Sequence, residues 1–78
     1  MAILNATQDL SQITNIPIEQ ISIVSVESPE WPDSCLGLAD QNELCAQAIV
    51  PGWLIILEAE GKHYEYHTDL TGQNLRLK

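Results

Sequence analysis

Two strand-like stretches, Trp53 to Ala59 and Lys62 to Asp69, are separated only by Glu60-Gly61. A two-residue link whose second member tolerates positive φ is the tightest hairpin reversal available, and it fixes which residues face which. It pairs Ala59 with Lys62, Leu57 with Tyr64 and Ile55 with Tyr66. Trp53, Ile55, Leu57, Tyr64 and Tyr66 then share one face of the hairpin. Leu54, Ile56, Glu58, His63, Glu65 and His67 share the other, because strand side chains alternate. The first face is aromatic and aliphatic throughout and needs a second layer to cover it.

That layer is supplied upstream. Ile3, Ala6, Leu10 and Ile13 recur at spacings of three, four and three, which is one face of a helix. The helix must stop near Asn15, because Pro17 disfavours helical geometry in the residue before it. Ile21 to Glu27, rich in Ile, Val and Ser, reads as a strand covered on one side and partly on the other. Pro29 and Pro32 end it. Asp33 to Gln47 has no period and reads as a long loop packed by its own side chains. Ala46 to Val50 reads as a short edge strand, Asp69-Leu70-Thr71-Gly72 as a turn, and Leu75 with Leu77 as a last strand. The expectation is one α+β domain over residues 1–78, with an N-terminal helix on a three- to four-stranded antiparallel sheet. A long ordered loop separates its first two strands.

A 78-residue chain buries about 60–65% of its extended-chain surface, so a staple or partner matters to its stability. Eleven acidic residues face only Lys62, Arg76 and Lys78, for a net charge of −8. Such a surface repels phosphate backbones and anionic membranes and is compatible with a basic protein partner. Met1 to Asn5 lacks a basic segment leading into a long apolar run, and the longest apolar run, Trp53 to Leu57, is far too short to span a bilayer. A cytoplasmic protein is expected.

Nine residues lie between Cys35 and Cys45. Two thiolates without a nearby third ligand in sequence do not complete a zinc site. Three readings stay open: buried structural thiols, a disulfide, or a redox switch. His63 and His67 would share a metal on a helix. On a strand four residues span about 13 Å, so no metal is expected there, and Glu58 opposite His63 makes a charge pair instead. Asp33 reads as a loop aspartate bonded to its own turn. No arrangement suited to nucleophilic or acid–base catalysis is visible, nor any cofactor-binding motif. Trp31 and Trp53 fit either core cover or an exposed binding edge.

Trp31-Pro32-Asp33-Ser34-Cys35-Leu36-Gly37, Cys45, Gln47, Pro51-Gly52-Trp53 and Tyr64-Glu65-Tyr66-His67-Thr68-Asp69 together resemble an uncharacterised bacterial module, common also in cyanobacteria. Its members vary at the cysteine positions, which implies that a disulfide is optional to that fold. The resemblance lends no activity. The helix, the β-meander and the Asp69-x-x-Gly72 turn are also similar to PepSY domains, which implies a role in binding or restraining peptidases and other partners.

The reading is therefore a non-catalytic, regulatory module that binds a protein partner. Its expected surface is Trp31, Asp33, Leu36 and Leu38 together with Leu54, Ile56, His63 and His67, a face more apolar than solvent requires. A homodimer built on that face or on an open sheet edge is one form of it. The alternative is a thiol switch at Cys35 and Cys45.

Overall fold

The computed structural model describes residues 1–78. Helix α1 spans Ala2–Thr14, and Asn15 closes it in the left-handed conformation, its N–H donating to the Ser11 carbonyl. A single 3₁₀ turn, Ile18–Gln20, leads into the sheet. The strands are β1 (Ile21–Glu27), β2 (Glu30–Trp31), β3 (Val50–Ala59), β4 (Lys62–Asp69) and β5 (Leu75–Leu77). The order is β1-β3-β4-β5, all antiparallel, and β2 also pairs with β3.

The hairpin register is the expected one: Ala59 pairs with Lys62, Leu57 with Tyr64 and Ile55 with Tyr66. Glu60 at φ 51° and Gly61 at φ 79° both take the left-handed conformation that such a two-residue turn requires. Ala2, Ala6 and Leu10 of α1 bury against Ile55, Leu57, Ala59 and Tyr66. The Tyr66 hydroxyl donates to Asp9 at 2.7 Å. Burial, reinforced by that carboxylate, pushes the Tyr66 pKa far up and keeps the phenol neutral.

The architecture is α+β as expected, with five strands instead of three or four. The additional strand is β2, between Pro29 and Pro32. A proline pair forbids a central strand, but two residues at an edge suffice, and the Pro29 carbonyl still accepts from Gly52 N–H at 3.1 Å. The expected strand from Ala46 reduces to Val50, the first residue of β3. Ile13, placed inward by its spacing, is 56% exposed. The chain turns at Asn15, and Ile16 enters the core beyond it.

The larger difference concerns the loop. Instead of packing only on itself, its Leu36–Glu43 part reaches the face of the sheet opposite α1. There it buries Leu36 completely and contacts His67 of β4 and Arg76 of β5. On that face β4 and β5 carry a second layer, whereas Leu54 and Ile56 of β3 stay half-buried.

Candidate functional site

The loop is rooted at Trp31. Its ring stacks on the imidazole of His67, centroids 4.1 Å apart and planes 11° from parallel. Its indole N–H donates to the Thr68 carbonyl at 2.8 Å. That bond crosses β3 at Gly52, where an added Cβ would stand 2.7 Å from the indole nitrogen and 1.8 Å from the Thr68 oxygen. Only a residue without a side chain lets Trp31 reach β4.

Beyond Trp31 the backbone is held by its own side chains. Asp33 Oδ1 accepts from Cys35 N–H at 2.9 Å and Gly37 N–H at 3.1 Å. Leu36, at φ 59°, and Gly37, at φ 75°, form a tight turn closed by Leu38 N–H to the Cys35 carbonyl. A leucine there costs roughly 1–2 kcal/mol of backbone strain. Its side chain is fully buried and its carbonyl meets His67, which offsets that cost. Cys35 and Cys45 form a disulfide with their Cα atoms 5.7 Å apart. Beside it Ser34 N–H donates to the Ala46 carbonyl at 3.0 Å, and Ala46 N–H donates to Ser34 Oγ at 2.8 Å.

The polar groups of this face bond one another. His67 Nδ1 lies 2.8 Å from the Leu36 carbonyl and Nε2 lies 2.7 Å from Glu65 Oε2. Both partners are acceptors, so the ring makes both bonds only by donating from each nitrogen. The His67 hydrogen bond, with Lys78 also nearby, lowers the Glu65 pKa from 4.5. Arg76 holds the loop's far end, donating to the Leu38 carbonyl at 3.1 Å and forking onto both oxygens of Glu43. Those bonds bring Glu43 down to about 2. They raise Arg76, with Asp40 and Asp33 adding to the effect at longer range.

Of the residues expected to form an exposed binding face, Trp31, Leu36 and His67 are buried within the chain itself. Leu38, Leu54, Ile56 and Asp33 are half-buried, and His63 is exposed, 4.0 Å from Glu58. Three of the eight residues inferred from sequence are therefore closed to a partner by the chain itself. Gly52, Glu43 and Arg76 were missed as parts of this site. The alternation of Leu75, Arg76 and Leu77 places Arg76 on the loop side, but only the structure reveals what it holds.

Residues 3–77 match the family described as a domain of unknown function (DUF8738). The chain belongs to that family. Neither a curated protein nor a solved structure matches it. No helix of this DUF8738 domain is long and apolar enough to cross a membrane.

Two features of the domain remain chemically open. The first is the outer edge of β1, where Ile23, Val24 and Val26 are 53%, 47% and 38% exposed. Helix α1 lies mainly over β3 and β4. An apolar cleft of about 240 Å³ lined by Met1, Ala2, Ile3, Val26, Trp53 and Leu70 adjoins it. The second is the group of Asp33, Cys35 and Cys45, whose carboxylate oxygen and sulfurs lie within 4.8 Å of one another.

Proposed function

We propose that this domain is a non-catalytic module that binds a protein partner by adding an extended segment of that partner to β1. The exposed edge of β1 carries this reading. Ile21 to Val26 contains no charge and no proline, the residues that usually guard an edge strand. Its outward backbone groups are open to a further strand, and Ile23, Val24 and the neighbouring cleft would receive side chains. The net charge of −8 favours a basic segment. The pairing of the domain's polar groups also supports a binding role: no buried side-chain nitrogen or oxygen lacks a hydrogen-bond partner. The likeness of the sequence to partner-restraining PepSY domains, carried by the Asp69-x-x-Gly72 turn, points the same way.

The test is affinity capture from the native cell with the domain and its Val24→Lys variant. The variant should lose the partner with an unchanged circular dichroism spectrum, and the partner should protect β1 amides from exchange. Equal capture by both proteins would refute edge addition, and a dimer seen by light scattering with no other protein bound would identify a second copy as the partner.

One observation favours a second reading, a thiol switch. The Cys35–Cys45 bond closes the loop that reaches the sheet, and Cys45 is half-exposed to a reductant. Thiol counting with and without reductant, together with partner binding in both states, tests it.

A further inference from the structure

We infer that, once reduced, the Asp33–Cys35–Cys45 group is a binding site for a thiophilic divalent cation of the zinc type. The inference extends the thiol-switch reading and rests on it. Sequence spacing offers only two sulfur ligands; the fold adds a third ligand. The two sulfurs, bonded to each other, and one carboxylate oxygen of Asp33 all lie within 4.8 Å of one another, so opening the sulfur bond leaves three ligand atoms near enough for one tetrahedral ion to gather with small side-chain rotations.

Three features prepare the site. Asp33 is fixed through Oδ1 by the Cys35 and Gly37 amides, while its Oδ2 makes no hydrogen bond within the chain. The two cysteine segments are joined beside the disulfide by the reciprocal Ser34 and Ala46 hydrogen bonds, so breaking the sulfur bond does not separate them. Cys35 is buried, whereas Cys45 and Asp33 are half-exposed, so an ion could enter from solvent with its fourth position left to water.

The chemistry balances with a dithiol or phosphine as the external reductant. The disulfide takes up two electrons and two protons to give two thiols, and the reductant is oxidised to its disulfide or phosphine oxide. Binding the cation then releases the two thiol protons and forms two metal–sulfur bonds. The oxidised chain offers the ion one carboxylate alone, so the loop would carry either the sulfur bond or the metal.

The experiment is cobalt(II) titration of the phosphine-reduced domain, followed by zinc displacement, with the oxidised domain as a folded control. Free thiols are counted first. The expected result is two thiols, one equivalent of cobalt, a thiolate-to-cobalt charge-transfer band, and loss of that band on adding zinc. The oxidised chain should bind at least about 100-fold more weakly, beyond the roughly 10–100-fold that an outer-shell change costs. Asp33→Asn retains an oxygen for the turn and both thiols, and should weaken binding at least about tenfold with the charge-transfer band retained. If no thiols appear, the switch and the metal site both fall. Two thiols without a cobalt band sink the metal site alone. Unchanged affinity in Asp33→Asn removes the third ligand and with it the proposal.

Discussion

The indole of Trp31 lies flat on the imidazole of His67, 4.1 Å away, and joins the root of the loop to the fourth strand. Trp31→Ala would remove this stack and a buried side chain together, at about 3–5 kcal/mol. Trp31→Phe retains an aromatic face but leaves the Thr68 carbonyl without its donor, at about 1–3 kcal/mol. Urea unfolding of both variants should rank them in that order. A Trp31→Phe protein as stable as the unsubstituted one would show that the indole N–H contributes nothing, and equal stability of the two variants would show the same of the aromatic face.

Gly52 is more constrained than its place in a strand suggests. A Cβ there meets the Thr68 oxygen at 1.8 Å, whereas one at Gly61 meets nothing within 4 Å. Gly52→Ala should cost about 3 kcal/mol or more by forcing β3 from β4 and displacing Trp31. Gly61→Ala should cost only the roughly 1–2 kcal/mol of its positive φ. Thermal melts that reverse this order would contradict the close approach.

Removing the sulfur bond should destabilise the chain without rearranging the sheet. Closing a loop of about eleven residues is worth about 2.5–3 kcal/mol in the chain-entropy model. The Cys35→Ser/Cys45→Ser protein should fall by that amount in urea, with the chemical shifts of α1, β3 and β4 retained. A loss of sheet resonances would show that the staple supports the whole fold.

Acid should weaken the second face through Glu65. Its pKa is lowered from 4.5 in the folded state, first by the His67 hydrogen bond, so the unfolded chain takes up this proton at higher pH than the folded one. The contribution is complete above about pH 4.5 and declines as pH falls through the lowered value. Glu65→Gln should flatten that part of the stability–pH curve.

The hairpin was legible because a two-residue turn at Glu60-Gly61 specifies the register by a local rule. The helix was legible to Leu10 for the same reason. Ile13 was misplaced because the direction of the chain after Asn15 depends on tertiary packing, which seats Ile16 instead. The loop was opaque for a different reason. It lacks a period, and its attachments run from Trp31 to His67, from Leu38 and Glu43 to Arg76, and from Ser34 to Ala46. Pairings between distant positions leave no spacing to read. Leu54, Ile56 and His67 were correctly placed on one face, but the loop takes His67 for its own attachment.

Because β1 stands at the edge of the sheet and α1 covers one side of β3 and β4, a strand added at β1 would extend the sheet laterally. Copies or partners joining it would build a ribbon, one hydrogen-bonded row at a time, and not a sandwich.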